Sequence, residues 1–218
     1  MQKISLVIID DHTLIRQSWS FILNKDPRFI VVAESGNAEE GIERCLLHQP
    51  NVVLLDINLP CMSGLDAVPL ILRHAPSTKV LGVSLHTQPA YVKKMIQNGA
   101  SGYITKNSSR EEMIRALLEV HNGKKYICEE IKNILSENML SGKQDSAFQS
   151  LSMREMQIID LIKQGLSSKE IAANACIAVK TVEVHRYNIL RKLQLKNSDG
   201  KIPSGDTWNI PETHNDSR

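Results

Sequence analysis

The sequence predicts a doubly wound α/β domain with a five-stranded parallel sheet, followed by a small all-α helix-turn-helix domain. Over residues 1–125, runs rich in Val and Ile alternate with segments in which apolar residues recur every three or four positions. Over residues 150–196, only the helical period recurs. Because each crossover between parallel strands packs a helix back against the sheet, the alternation predicts helices on both faces.

Short apolar runs are the predicted strands of the first domain, and helix-length amphipathic segments separate them. The strands are Ile4–Ile9, Phe29–Ala33, Val52–Leu55, Val80–Ser84 and Gly102–Thr105. The helices are placed at 13–24, 38–48, 65–74, 88–98 and 109–122. Ser109 stands three positions before Glu112, the spacing of a capping box, and this marks the start of the last helix.

The alternation fades after the last of these helices, and we interpret 126–149 as a linker with room for one short helix. In the second domain, Ser152 and Ser167 each stand three positions before a glutamate, so a helix is expected to begin after each of them. A longer helix, Val179–Leu193, follows a tight connection and completes the helix-turn-helix pattern. The polar segment 197–218 is predicted to be disordered.

The composition excludes several classes of protein. The 218 residues are 42% hydrophobic and 23% charged, as is usual for globular chains that bury a core. Aromatic residues amount to 4%, which disfavours a large base-stacking surface for single-stranded nucleic acid. No apolar run approaches the roughly 18 residues of a membrane span, and the N-terminus lacks a signal-peptide pattern. We therefore expect a cytoplasmic protein with no membrane partner.

Charged and polar residues stand at the ends of four predicted strands. Asp10 and Asp11 follow the first strand and Asp56 ends the third. Ser84 ends the fourth strand and Lys106 follows the fifth. Taken singly, such a carboxylate is often a turn or cap residue, and such a lysine is usually a solvated charge. Because the carboxyl ends of parallel strands meet at one edge of the sheet, their coincidence favours a functional site there.

This set of residues supports phosphoryl transfer. Three neighbouring carboxylates repel one another and favour a hard divalent cation, for which Mg²⁺ is the best fit. One carboxylate can then attack phosphorus and form an acyl phosphate, while the lysine ammonium and the serine hydroxyl contact phosphoryl oxygens. The sequence contains neither GxxxxGKS/T nor GxGxxG, so we expect the phosphoryl donor to be another protein or a small acyl phosphate, not ATP.

Residues 3–122 resemble the receiver domain of bacterial two-component response regulators, which has a flavodoxin-like fold. The resemblance rests on Asp10-Asp11, on the block Asp56-Ile57-Asn58-Leu59-Pro60-Cys61-Met62-Ser63-Gly64, on Ser84 and on Tyr103-Ile104-Thr105-Lys106. It implies that Asp56 is the phosphoacceptor. The other implied site residues are Ser84 and Lys106, as contacts of the phosphoryl group, and Tyr103, as the aromatic switch residue.

The same resemblance implies a Mg²⁺ site. Its implied ligands are Asp11, Asp56 and the backbone carbonyl of Asn58, with Asp10 acting through water. Asn58 and His86 occupy positions that tune the lifetime of the acyl phosphate in that family, although His86 fits equally well as an ordinary loop residue. His12 follows the acidic pair, but Mg²⁺ prefers oxygen ligands, so we interpret His12 as a surface residue at a helix start. We expect no enzyme activity beyond phosphoryl uptake and slow autodephosphorylation.

The third helix of the second domain has the features of a DNA-recognition helix. Its apolar residues Val182, Ile189 and Leu193 recur at helical spacing and are expected to face the core. The opposite face carries the candidate DNA contacts, Lys180, Thr181, Glu183, Val184, Tyr187 and Arg191. Residues 150–198 contain eight basic and four acidic residues, which suits a polyanionic partner. A helical packing domain with a solvated polar face is the alternative interpretation.

The second domain also resembles the LuxR-type helix-turn-helix. The resemblance rests on Leu151-Ser152-Met153-Arg154-Glu155, on Gly165-Leu166-Ser167-Ser168-Lys169-Glu170-Ile171-Ala172 and on Lys180-Thr181-Val182-Glu183-Val184-His185. Joined to a receiver, it gives the arrangement of the NarL/FixJ class. It implies a bacterial transcription regulator that is phosphorylated by a sensor histidine kinase and binds double-stranded DNA. The alternative is a phosphotransfer or protein-interaction module whose second domain does not bind DNA productively.

Two features depart from the pattern of that class. Ala178 stands where the family usually has a Ser or Thr N-cap, a loss that costs about 1 kcal/mol. After Asn197 the sequence has two glycines, two prolines and no apolar period, so we expect no fourth helix of the kind that the family often uses for dimerisation. Any homodimer is therefore expected to be weak or to be held by the receiver.

Overall fold

The structure is a computed structural model that describes residues 2–141 and 150–193, and the chain divides into two compact units after Ser146. Strands β1 to β6 of the first unit are Ile4–Ile9, Phe29–Ser35, Val52–Asp56, Lys79–Ser84, Gly102–Thr105 and Tyr126–Ile127. Helices α1 to α6 are Thr13–Lys25, Ala38–His48, Gly64–His74, Pro89–Gln97, Arg110–His121 and Glu129–Ser141. The second unit contains α7 (Met153–Lys163), α8 (Ser168–Asn174) and α9 (Val179–Leu193).

The first unit is built on one parallel sheet with the strand order β2-β1-β3-β4-β5-β6. Every residue of β3 and β5 is buried, as expected for strands that are covered on both faces. This is the doubly wound α/β architecture that the sequence predicts. The order places the carboxyl ends of β1, β3, β4 and β5 side by side along one edge of the sheet.

The expected count of five strands is wrong, because a sixth strand forms within the segment interpreted as a linker. Gly102 and Tyr103 of β5 pair in parallel with Tyr126 and Ile127 of β6. A strand of two residues shows no periodic pattern, so sequence patterning does not reveal it. The short strand covers an edge of β5 that would otherwise expose unpaired backbone groups. α6 follows it directly, where the sequence left room for a short helix, and 142–149 lie outside the described residues.

The predicted bounds of the other strands and helices agree with the structure to within two residues, and capping side chains mark several of the helix starts. The side chains of Asn37, Ser63 and Ser109 accept hydrogen bonds from backbone N–H groups at the starts of α2, α3 and α5. Ser109 receives its bond from Glu112, as the capping-box spacing predicts. The Glu112 carboxylate accepts from the backbone N–H of Glu129 instead of completing the box.

Both capping boxes predicted for the second unit are present. Ser152 pairs reciprocally with Glu155, and Ser167 pairs with Glu170, at the starts of α7 and α8. The prediction of disorder at 197–218, and with it the expected absence of a fourth helix, falls outside the described residues. Among the helices that the structure describes, none is both long and apolar enough to cross a membrane.

Candidate functional site

The carboxyl ends of the strands bring the predicted pocket residues together. Asp10 follows β1, and Asp56 is the last residue of β3. Lys106 directly follows β5, and its Nζ lies 2.8 Å from Asp10 Oδ2 and 2.7 Å from Asp56 Oδ2. The three side chains are almost entirely buried, with exposed fractions of 6%, 1% and 4%. Residues that lie far apart in the sequence therefore form one buried charged cluster, as predicted.

Ser84 and the backbone of Lys106 are joined at the same edge. Ser84 is fully buried at the end of β4 and pairs with Thr105 of β5. Its carbonyl oxygen accepts a 2.7 Å hydrogen bond from the backbone N–H of Lys106. Its hydroxyl oxygen accepts from the backbone N–H of His86 at 3.1 Å. These hydrogen bonds hold the ends of β4 and β5 in register beside Asp56.

Burial dominates the electrostatics of Asp56. It raises the pKa of Asp56 to about 6, because Lys106 lowers that pKa only in part and the charge of Asp10 raises it further. Burial alone would lower the pKa of Lys106, but the charges of Asp56 and Asp10 outweigh it and leave a raised pKa. Asp56 is therefore mostly ionised at neutral pH, although its charge is held in an unfavourable environment.

The oxygen atoms of this cluster fit a divalent cation. Each of Asp10, Asp11 and Asp56 offers a carboxylate oxygen, and these atoms lie within 4.8 Å of one another. Oxygens that bind the same Mg²⁺ lie at most about 4.2 Å apart, so only a small adjustment is needed. Three carboxylates beside the single ammonium of Lys106 leave an excess of negative charge. Donor chemistry and charge both favour a hard dication such as Mg²⁺.

His12 is closer to the cluster than the sequence indicates. It is exposed and precedes the first residue of α1, which agrees with the predicted surface position at a helix start. Its Nδ1, however, lies 2.7 Å from Asp11 Oδ1 and 3.4 Å from Lys106 Nζ. The sequence analysis weighed His12 as a metal ligand and as a surface residue at a helix start, and neither interpretation included a contact with Asp11. The imidazole instead borders the carboxylates from the solvent side.

Asn58 and His86 face each other across the pocket. The Asn58 backbone N–H donates to Asp56 Oδ1 at 3.1 Å, and its side-chain amide lies 2.8 Å from the Nε2 of His86. The His86 ring stacks on Tyr91 of α4 with a centroid separation of 4.2 Å. Tyr103 is fully buried, and its hydroxyl donates to the carbonyl oxygen of His86 at 2.7 Å. His86 therefore connects the pocket to α4 and to β5, which an ordinary loop residue would not do.

The start of α3 approaches the end of β3 so closely that residue 64, in the block after Asp56, must be glycine. A Cβ atom at this position would lie 2.0 Å from the carbonyl oxygen of Asp56. The Gly64 N–H also donates to the carbonyl oxygen of Ile57 at 2.9 Å. Only glycine allows the start of α3 to approach the end of β3 this closely.

The second unit presents the predicted recognition face on α9. Lys180, Thr181, Glu183, Val184, Tyr187 and Arg191 are all exposed. They cover the face opposite Val182 and Ile189, which are fully buried as predicted, while Leu193 is only half-buried. From Lys180 to Arg191 the face is about 17 Å long, enough to follow several base pairs in a major groove.

Two buried charged residues on α7 and α9 were missed by the sequence interpretation. Arg186 is 4% exposed, and its guanidinium donates to the hydroxyl of Ser168 on α8. Glu155 of α7 is 3% exposed and accepts from Lys192 of α9 at 2.7 Å as well as from the backbone of Ser152. Burial raises the pKa of Glu155, but its hydrogen bonds to Lys192 and Ser152 leave it lowered overall. These contacts fix α9 to the two helices before it.

Comparison with known proteins identifies the family. Residues 6–118 match the response regulator receiver domain, and residues 149–200 match the luxR family of bacterial regulatory proteins. The chain is 35% identical over 198 residues to the oxygen regulatory protein NreC of Staphylococcus carnosus, across 88% of this chain and 91% of NreC. The chain belongs to the LuxR family of response regulators. NreC of Staphylococcus epidermidis is similarly close to this regulator, at 36% identity over 199 residues.

Solved structures support the same assignment. A LuxR-family two-component response regulator from Aurantimonas sp. SI85-9A1 aligns with a TM-score of 0.61 at 26% identity, over 64% of this regulator and 99% of that chain. RcsB of Salmonella enterica serovar Typhimurium, solved bound to promoter rprA with the phosphomimetic BeF3-, aligns with a TM-score of 0.66. Its identity is 20%, over 91% of this regulator and 96% of that chain, so this likeness concerns the fold alone.

Proposed function

We propose that this regulator accepts a phosphoryl group on Asp56 from a sensor histidine kinase and binds double-stranded DNA through α9 to control transcription in the bacterial cytoplasm. The observation that carries the proposal is the buried carboxylate of Asp56, held 2.7 Å from Lys106 at the edge where β1, β3, β4 and β5 end. The receiver and luxR-type domain matches support the link between the two activities.

The geometry supports direct transfer to the carboxylate. An Asp56 oxygen attacks the phosphorus, and the bond between phosphorus and the donor's imidazole nitrogen breaks as the acyl phosphate forms. The ammonium of Lys106 lies close enough to Asp56 to interact with the negative charge of the phosphoryl oxygens once they are attached. The Ser84 hydroxyl donates a hydrogen bond to one of these oxygens. A bound Mg²⁺ would supply charge neutralisation for the phosphoryl oxygens, held by Asp11, Asp56 and the carbonyl of Asn58, with Asp10 behind a water.

The Asn58–His86 pair is the element that we assign to the lifetime of the acyl phosphate. The two side chains meet at 2.8 Å, and the backbone N–H of Asn58 donates to Asp56 Oδ1, so the pair lies beside the carboxylate. Hydrolysis requires a water in line with the bond between phosphorus and the Asp56 oxygen, and the pair limits access to that line. We propose no catalysis beyond phosphoryl uptake and this slow autodephosphorylation.

Phosphoryl uptake is tested with acetyl phosphate and Mg²⁺, using electrophoresis that retards phosphorylated chains. The Asp56→Asn variant should show no retarded band and an unchanged circular dichroism spectrum. Asp66→Asn is the matched control, because Asp66 lies in the first turn of α3 and is bonded to Ser63 instead of to the pocket. Uptake that survives in Asp56→Asn, or fails in Asp66→Asn, would contradict the assignment.

DNA binding is tested by selecting bound duplexes from a random pool, with and without beryllium fluoride and Mg²⁺. We expect enrichment of a short inverted repeat that the phosphoryl mimic strengthens, with affinity that falls steeply as salt rises. Lys180→Ala should weaken that binding, and Lys163→Ala at the end of α7 is the control. No enrichment in either state would favour the alternative function, a phosphotransfer or protein-interaction module.

Pairing of two chains is assigned to the receiver. The sequence after Asn197 contains no helical apolar period, so the second unit offers no further helix pattern for dimerisation. We therefore expect sedimentation of the full chain to show a dimer that beryllium fluoride and Mg²⁺ strengthen. A tight dimer of the isolated 150–218 fragment, independent of phosphorylation, would refute this assignment.

A further inference from the structure

We propose that Glu130, at the start of α6, is a positioning residue that couples the phosphoryl pocket to α6 through a hydrogen bond with Thr105. The inference rests on the proposed function, because it concerns how phosphorylation at Asp56 is transmitted along the chain. Thr105 immediately precedes Lys106 in β5, and α6 leads in sequence toward the DNA-binding unit.

The contact itself joins a buried group to a surface helix. Thr105 is 1% exposed, and its hydroxyl donates to Glu130 Oε2 at 2.7 Å. The hydroxyl of Ser108 is more distant, at 3.5 Å. A hydroxyl at such depth needs an acceptor, and Glu130 supplies it from the first turn of α6. A displacement of Thr105 must therefore either move Glu130 or break this bond.

β5 links the Thr105–Glu130 hydrogen bond to the pocket on its β4 side and to the start of α6 on its β6 side. Toward β4, the backbone N–H of Lys106 donates to the carbonyl oxygen of Ser84. Toward β6, the carbonyl oxygen of Tyr103 accepts from the backbone N–H of Cys128 at 3.0 Å. Lys106 thus contacts the phosphoryl pocket, while Tyr103 and Thr105 contact the segment that leads into α6.

The start of α6 is held firmly enough to transmit a displacement. Cys128 and Ile131 are fully buried. The Glu112 carboxylate of α5 accepts from the backbone N–H of Glu129 at 3.0 Å, so it is bonded to the first residue of α6. α6 also contacts α4, the helix whose Tyr91 stacks on His86. An ordinary acidic residue in a first turn would only favour the helix dipole, whereas Glu130 is tied to β5.

The test compares full-length variants by the ratio of their DNA affinities with and without beryllium fluoride and Mg²⁺, on the selected duplex. Glu130→Ala and Thr105→Val should each lower this ratio about two- to tenfold, the range for loss of one hydrogen bond. The double variant should be no worse than either single one, because both remove the same bond. Glu130→Gln keeps an acceptor and should restore most of the ratio.

Glu129→Ala is the matched control, since it removes only an exposed ion pair with Lys132 and should leave the ratio unchanged. Amide resonances of Ile127 and Cys128 should shift when the mimic binds the parent chain and should respond less in Glu130→Ala. A full ratio in Glu130→Ala, with a parent chain that still switches, would overturn the inference. A parent chain that fails to bind the mimic would instead overturn the proposed function.

Discussion

Replacing Asp56 by Asn should stabilise the first unit in magnesium-free solution, although it abolishes phosphoryl uptake. The Asp56 side chain is 1% exposed and lies near the charge of Asp10, so its ionisation is less favourable in the folded chain than in the unfolded chain. The substitution removes that charge and keeps similar volume. It also leaves Lys106 paired, because Asp10 Oδ2 stays 2.8 Å from its Nζ.

The size of the effect follows from the pKa of Asp56. Burial raises it from the ordinary 3.8 to about 6, roughly two pKa units, which corresponds to a penalty on the order of 3 kcal/mol above that range. Because the folded pKa is the higher one, the folded chain binds more protons between pH 4 and pH 6 (the approximate window set by these values) and loses stability as the pH rises. The two chains should therefore be equally stable near pH 4 and diverge above pH 6.

The assay is urea unfolding at several pH values, followed by Trp19 fluorescence in chains that carry Trp208→Phe. Trp19 lies on α1, so its signal reports on the first unit. Mg²⁺ should stabilise the parent chain, by about 2.7 kcal/mol at a hundredfold excess over its dissociation constant, and should leave Asp56→Asn nearly unchanged. A variant less stable than the parent at pH 7.5 without Mg²⁺ would refute the electrostatic argument.

Three further substitutions test other parts of the structure. Gly64→Ala places a Cβ against backbone and should cost about 2 kcal/mol or more in urea unfolding, whereas Gly123→Ala meets no atom within 4 Å and should cost about 1 kcal/mol for its positive φ. Ala178→Ser supplies an N-cap side chain to α9 and should raise the free energy of unfolding of the second unit by about 1 kcal/mol. No gain would show that the first backbone N–H groups of α9 already have hydrogen-bond partners. Glu155→Ala breaks the ion pair with Lys192 and half of a capping box, so its unfolding free energy should fall by about 2–3 kcal/mol. A loss of less than about 1 kcal/mol, the contribution of a helix cap alone, would contradict the buried role of Glu155.

Most of the first unit and its pocket could be predicted because both depend on local signals. Strands such as Val52–Asp56 are continuous apolar runs, and helix starts such as Ser63 carry their caps in the sequence. The pocket follows from topology, since parallel strands bring Asp10, Asp56 and Lys106 to one edge regardless of their separation in the chain. Residue type and position at a strand end were sufficient to select them.

The features that escaped prediction depend on tertiary contacts. β6 has two residues, too few for a period, and forms because β5 offers an unpaired edge. Arg186 lies between Val182 and Ile189 on the buried face of α9. Its charge argues against burial in the sequence, and only the structure shows that the Ser168 hydroxyl accepts a hydrogen bond from its guanidinium. Likewise, nothing in the sequence links Glu130 with Thr105. Such partners come from packing, which composition and spacing do not encode.

The pocket combines a buried ion pair, between Lys106 and Asp56, with hydrogen bonds that join β5 to its neighbours. Together these contacts suggest how phosphorylation would be transmitted from the pocket. Lys106 Nζ donates a hydrogen bond to Asp56 Oδ2, and the Asp56 carboxylate would lose its negative charge on forming the proposed acyl phosphate. We expect the ammonium, which stays 2.8 Å from Asp10 Oδ2, to contact the phosphoryl oxygens as well, because they carry the negative charge that the Asp56 carboxylate gives up. The backbone N–H of Lys106 is bonded to Ser84, and its neighbour Thr105 is bonded to Glu130. We therefore expect a change at the Asp56 carboxylate to be transmitted to β5, the strand that connects the pocket to α6.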